Sequence, residues 1–249
     1  MIRTAIQDNI YLVILDRPDQ RNALTPEMSD ALVAAIKSCP ASARTLLLCG
    51  NGPVFCAGFD LPLCNQHPDG SVLRHLLKSL SAAITSLRNL HCPVVAAAQG
   101  GAIAGGCALL TAADHVVADA RAKFGYPVHR LGLSPAVSLP TLAQAIGSGA
   151  LRSLAFDSQL IDGHRALELS LIHTLVETAP EVRPCALQVA MQFGYKPPHA
   201  MTATRNWVAK VAHLGESTSL AALSASLSTA GSAEQIEMLE LLLRTRQKP

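Results

Sequence analysis

Gly105 and Gly106 stand at the head of the apolar run Cys107–Leu110, a pattern that opens a helix. A helix start carries N–H groups with no carbonyl partner inside the helix, and glycine there lets a ligand approach the backbone. Such donors suit a carbonyl oxygen on which negative charge develops, as in enolate chemistry on a thioester, where each is worth roughly 2.7–4 kcal/mol of barrier. Titratable groups nearby are few. His129 follows Val128 and is either a base near pH 7 or a surface or interface histidine. On an extended segment the two side chains point opposite ways, so a Val128 that faces a pocket turns His129 out of it. Asp114 and His115 read as structural groups, Asp114 as a hydrogen-bond acceptor. Tyr126 and Ser138 could reach a pocket and Ser134 could cap a turn, but no spacing singles them out. The seven cysteines form an odd set without paired short spacings, which points to neither a disulfide framework nor a zinc site and fits a reducing cytoplasm. Cys56 and Cys107, which flank the glycine-rich region, read as buried filling, since no sequence neighbour would lower a thiol pKa.

Stepping outward, Ile2–Gln7 and Ile10–Leu15 alternate around the turn pair Asp8-Asn9 and predict a hairpin. Thr25-Pro26 predicts a capped helix start, followed by an apolar face through Met28, Leu32, Ala35 and Ile36. Thr45–Cys49 reads as a buried strand. From Val72 to Leu90 the three-four spacing holds for about five turns, up to Pro93. Val94–Ala98 and His115–Ala118 read as further strands around the helix that Gly105-Gly106 opens, and this alternation predicts an α/β core with parallel sheet. After Val176 the strands stop, and 182–193, 200–213, 217–228 and 233–243 all read as helical. The charge-free stretch Cys92–Ala113 is about long enough to cross a bilayer. Pro93, Gln99, four glycines and the lack of aromatic or basic flanks fit strand, loop and helix start better, so no membrane partner is expected. The N-terminus meets polar residues before an export signal could form. A net charge of +2, spread without a basic run, gives no footprint of nucleic-acid binding. With 249 residues and 49% hydrophobic content, one large domain is the expectation.

Four segments in order resemble the crotonase, or enoyl-CoA hydratase/isomerase, superfamily. They are Leu15-Asp16-Arg17-Pro18 with Arg21-Asn22-Ala23-Leu24; Phe55-Cys56-Ala57-Gly58-Phe59-Asp60-Leu61; Pro93 to Gly100 continuing through Gly105-Gly106-Cys107; and Ala122 to Pro127 running to Leu131-Gly132-Leu133. The resemblance implies a spiral of repeated ββα units. It places a core over residues 1–190 and a C-terminal helical region over 191–249 that builds homotrimers, often paired into hexamers. It implies an acyl-CoA thioester as partner, with coenzyme A as part of the substrate and no permanently bound cofactor or metal. By the same carry-over the N–H groups of Phe59 and Gly105 form the oxyanion hole. The Ala57 carbonyl lies near the adenine, Asp60 and Leu61 beside the acyl-CoA, and Arg21 and Ala23 at the nucleotide end. Arg21 is a phosphate contact or a solvated arginine with equal reason. Arg244, Arg246 and Lys248 sit where relatives end in a basic stretch near CoA, and an ordinary exposed helix end explains them as well.

The chain departs from the family where acid–base chemistry belongs. The two glutamates of the family's hydratases correspond to Ala108 and Val128, and the acid of many isomerases to Ala136. Neither a methyl nor an isopropyl group moves a proton, so two-glutamate hydration has no support in the sequence. Three readings remain. One is an enzyme that depends on enolate stabilisation, by decarboxylation or a lyase step, with His129 the nearest titratable substitute. The second is a non-catalytic acyl-CoA-binding or subunit-partner protein, and the third an ordinary hydratase with displaced acids. Intact oxyanion motifs favour the first.

Overall fold

The computed structural model describes residues 1–67, 70–128 and 133–211. A six-stranded sheet runs β1 (Ile2–Gln7), β2 (Ile10–Leu15), β3 (Thr45–Gly50), β4 (Val94–Ala97), β6 (His115–Asp119), β8 (Thr174–Val176). The β1–β2 pair is the antiparallel hairpin expected from Asp8-Asn9, both in the left-handed region, and every later pairing is parallel. A second, two-stranded sheet pairs β5 (Gly101–Ile103) with β7 (Lys123–Gly125). Isolated bridges Cys56–Ala102 and Leu24–Phe59 extend it sideways. Each turn of the chain thus lays one strand in the large sheet and one short extended segment beside it before a helix follows, which is the ββα spiral.

The parallel strands are buried on both faces, so they read as continuous apolar runs. Tyr11, Val13, Leu15, Leu46, Leu48, Val94, Ala96 and Val116 face the main core, under α1 (Pro26–Lys37), α3 (Ser71–Arg88) and α4 (Gly105–Leu110). Ile10, Leu12, Ile14, Leu47, Cys49, Val95, Ala97 and Val117 face the other way, onto Val182, Ala186 and Ala190 of α7 (Ala179–Gly194). The helix read over 182–193 thus covers the sheet's second face. It begins earlier than expected because Thr178 and Glu181 form a capping box, with Pro180 in the first turn and Pro184 still close enough to the start to be carried.

Thr25 caps α1, accepting from Met28 N, as its pairing with Pro26 predicts. The α3 helix follows its amphipathic pattern, burying Leu76, Leu80, Ala83, Ile84 and Leu87. It stops at Arg88, before Pro93 is reached. The carbonyls of Leu87 and Arg88 at its end, and of Leu90 just beyond it, accept from the guanidinium of Arg205 on α8 (Pro198–Val211), a residue that is 8% exposed and also pairs with Asp114 at 2.7 Å. Asp114 in turn accepts from Val94 N, the structural role expected of it. The stretch Cys92–Ala113 resolves into β4, β5 and α4 inside the fold, and no helix among the described residues is long and apolar enough to cross a membrane. The helices α2 (Leu61–Gln66), α5 (Leu139–Phe156) and α6 (Gly163–Glu168) are additions to the sequence reading. The expected helices over 217–228 and 233–243, and the basic residues Arg244, Arg246 and Lys248, lie outside the described residues.

Candidate active site

The loop Cys56–Asp60 and the start of α4 are pressed together by two glycines. Gly58 has φ +90, and a Cβ there would lie 2.9 Å from Ile103 O and 3.6 Å from Gly105 N. Gly106 sits on the Cys56 backbone so closely that a Cβ would come within 2.4 Å of Cys56 O. Between them two backbone donors are left without partners among the described residues. In the bridge to Leu24, Gly58 O accepts from Leu24 N at 2.7 Å and Asp60 N donates to Leu24 O at 3.0 Å, so the Phe59 N–H faces away from Leu24. Gly105 is the first residue of α4, where an N–H has no intrahelical carbonyl to reach. Ala104, which precedes it, is held at φ +48, ψ −108 by its N–H to Gly125 O and by its carbonyl, which accepts from Ala108 N. Non-glycine residues rarely occupy that region, and the position stores about 1–3 kcal/mol of strain beside the donor pair.

Phe59, Ala104 and Gly105 line a cavity of ≈ 340 Å³ together with Ala57, Leu61, Leu77, Leu80, Ile103, Ala108, Pro127, Val128, Leu133, Pro135 and Val137. The polar side chains on its wall are Tyr126, Ser134 and Ser138. No carboxylate, imidazole or amine lines it among the described residues. The two positions that correspond to hydratase glutamates, Ala108 and Val128, both face it, while Ala136 is exposed and lies off the wall. The Tyr126 hydroxyl is fully buried and makes no hydrogen bond, although the Cys107 thiol and the Ser138 hydroxyl stand beside it. Burial, reinforced by Cys107, pushes its pKa well above the ordinary value, so the phenol keeps its proton. Burial likewise pushes the Cys56 and Cys107 thiols up to about 12, as expected of filling residues.

Of the residues singled out in the sequence, Phe59, Gly105, Ala57 and Leu61 come together on this wall. Arg21 and Ala23 stand one layer back, joined to it through the backbone: Ala57 N donates to Arg21 O at 2.9 Å. The Arg21 side chain is exposed. Asp60 does not line the cavity. Its carboxylate accepts from Leu63 N, capping α2, and pairs with Arg17 at 2.7 Å. Burial alone would raise that carboxyl, but the Leu63 N–H and the Arg17 guanidinium together hold it below the usual range. Arg17 also donates to Ala23 O, and Asn22, fully buried, ties the same loops through Asn51 O and Val54 O. Asp60, Arg17 and Asn22 therefore position the Phe59 donor. His129 lies outside the described residues. Leu77, Leu80 and Val137 are cavity residues that the sequence reading missed, because an apolar side chain on a cavity wall has the same pattern as one in the core.

The family model described as Enoyl-CoA hydratase/isomerase matches residues 5–242. Over 190 residues the chain is 31% identical to a candidate enoyl-CoA hydratase of Thermus thermophilus, covering 73% of this chain and 75% of the relative. It is 28% identical over 221 residues to the peroxisomal Delta(3,5)-Delta(2,4)-dienoyl-CoA isomerase of Arabidopsis thaliana, covering 82% and 79%. Among solved structures it is similar to an enoyl-CoA hydratase from Polaromonas, with a TM-score of 0.90 and 26% identity over 100% of this chain and 98% of that one.

Proposed function

This chain belongs to the enoyl-CoA hydratase/isomerase family, and we propose that it binds an acyl-CoA thioester and stabilises its enolate without a side-chain carboxylate to move protons. One observation carries the reading: the unpartnered N–H groups of Phe59 and Gly105 share a cavity whose acid positions are filled by Ala108 and Val128. Hydration needs a base for the water and an acid for the α carbon, and each absent group removes about 10²–10⁴-fold. Decarboxylation of a malonyl-type thioester needs neither in its first step. The bond from the α carbon to the carboxylate breaks, and its electron pair forms the enolate, whose oxygen accepts from Phe59 N and Gly105 N. Carbon dioxide leaves, and a proton from solvent then returns to the α carbon. An apolar wall also favours that direction, since it solvates a carboxylate poorly and carbon dioxide well.

The test is a panel of malonyl-, methylmalonyl- and crotonyl-CoA with the full chain, following carbon dioxide release and loss of the enoyl absorbance. Release from a malonyl-type thioester with crotonyl-CoA untouched is the expected outcome; crotonyl-CoA hydration in the ordinary enzyme range of about 1–10³ s⁻¹ would overturn it. Binding of all three without turnover would favour the second reading, a non-catalytic acyl-CoA-binding protein, which the lack of a carboxylate, imidazole or amine on the wall among the described residues supports. A homotrimeric or hexameric assembly belongs to the same proposal, and sedimentation of the full chain tests it.

A further inference from the structure

Off the wall of the acyl-CoA cavity, three soft donors meet where the chain leaves α1 and enters β4. The Cys39 and Cys92 sulfurs and one ring nitrogen of His91 all lie within 4.8 Å of one another. Spacing along the sequence hides the group, because 52 positions separate Cys39 from His91 and only the spiral brings the two loops side by side. We propose that Cys39, His91 and Cys92 form a Cys₂His site for a zinc ion, distinct from the acyl-CoA cavity.

The geometry is close to what the ion requires. Tetrahedral coordination at ordinary Zn–S and Zn–N lengths puts the ligand atoms roughly 3.5–3.8 Å apart, so the three close on an ion by about 1 Å or less. Cys39 is half-buried just past the end of α1 and His91 is exposed, so both have side-chain freedom to make that movement, while Cys92 is fixed in the interior. His91 Nε2 stands 3.2 Å from Ala43 O. A histidine that donates one N–H to a backbone carbonyl has its ring oriented and its other nitrogen left as a lone-pair donor, the usual support of a metal-bound imidazole. Two thiolates neutralise the charge of a divalent ion, which matters beside the Arg205 cation and its Asp114 partner. A cavity of ≈ 270 Å³ reaches His91 and Cys92 from solvent, with Arg44 and Lys196 on its wall and Cys39 behind it. Thr202 Oγ1 donates to His91 O at 2.8 Å, so an ion here would brace α8 against the core.

The experiment titrates the reduced full chain with Co²⁺, follows the thiolate-to-cobalt charge-transfer band, then displaces it with Zn²⁺. We expect one ion per chain, a higher melting temperature with Zn²⁺ bound, loss of the band in Cys39→Ser and a weakened band in His91→Gln, and full binding in Cys185→Ser, whose thiol lies on α7. His91 is exposed and Cys39 is only partly buried, so the variants keep the fold, which circular dichroism checks. Absence of a charge-transfer band in the reduced wild type, or a band that survives Cys39→Ser unchanged, would overturn the site. So would a Cys39–Cys92 disulfide in air together with no metal uptake after reduction.

Discussion

Gly106→Ala is the perturbation whose cost is most directly set by the structure. The new methyl group would fall 2.4 Å from Cys56 O and 2.9 Å from Cys56 Cβ, both in a loop pinned by the Cys56–Ala102 bridge. That is about 1 Å short of van der Waals contact. The atoms in the way are backbone or next to it, so α4 must withdraw by about that distance. Overpacking of this kind costs about 1–3 kcal/mol, against a gain of up to about 1 kcal/mol for alanine over glycine in a helix. A net loss of about 1–2 kcal/mol in urea denaturation is the expected result. The functional loss is larger. Carrying Gly105 N about 1 Å from the oxyanion removes most of one donor, worth roughly 2.7–4 kcal/mol, or 10²–10³ in turnover. Gly105→Ala is the matched control. Its Cβ would meet the Phe59 ring edge at 3.2 Å, and a side chain can give way where backbone cannot. It should leave stability within about 0.5 kcal/mol. If Gly106→Ala matched wild type in both stability and acyl-CoA binding, the close approach of α4 to the Cys56 loop would not be what builds the donor pair.

Ala104→Gly should relieve the φ +48 conformation and stabilise the protein by about 0.5–2 kcal/mol, after the entropy that glycine costs, measured by urea midpoint. Arg205→Met should destabilise by about 3 kcal/mol, because Asp114 and the carbonyls at the end of α3 lose their partner; loss of helical signal on mild heating would report α8 leaving the core. Burial lowers the pKa of His173 and of His115, and His173 Nδ1 accepts from Val116 N. Depressed histidines are neutral in the native state, so the unfolded chain takes up protons first. Their stabilisation is complete above about pH 6.5 and is lost as pH falls below it, which urea midpoints at pH 7.5 and 5.5 would show and His173→Asn would flatten. The Asp60 carboxyl, held low by Leu63 N–H and Arg17, adds a separate loss only below about pH 4.

The strands of the large sheet were legible because burial on both faces leaves unbroken apolar runs, α1 because its cap and periodicity agree, α3 because its three-four spacing is long, and α4 because a glycine pair heads an apolar run. The three-residue strands β5 and β7 were not. Gly101-Ala102-Ile103 has too few residues to show a period, and its pairing with Lys123–Gly125 comes from the spiral. The α5 helix was hidden by Gly147, which sits at φ +74 and kinks it. The α7 helix was legible over 182–193, but sequence could not show that it covers the second face of the sheet. At the site, the glycines and the missing glutamates were visible from the motifs. That Asp60 is turned to Arg17, and that Tyr126 lies buried without a partner, depends on tertiary placement.

The central claim is that Phe59 N–H and Gly105 N–H polarise a thioester carbonyl in a cavity lined by no carboxylate among the described residues. Isotope-edited infrared difference spectroscopy of butyryl-CoA carrying ¹³C at the thioester carbonyl reads that polarisation directly, without requiring turnover. The expected result is a carbonyl stretch displaced to lower frequency on binding to wild type, with the displacement largely lost in Gly106→Ala. A bound thioester whose carbonyl stretch stays at its solution frequency would contradict the account.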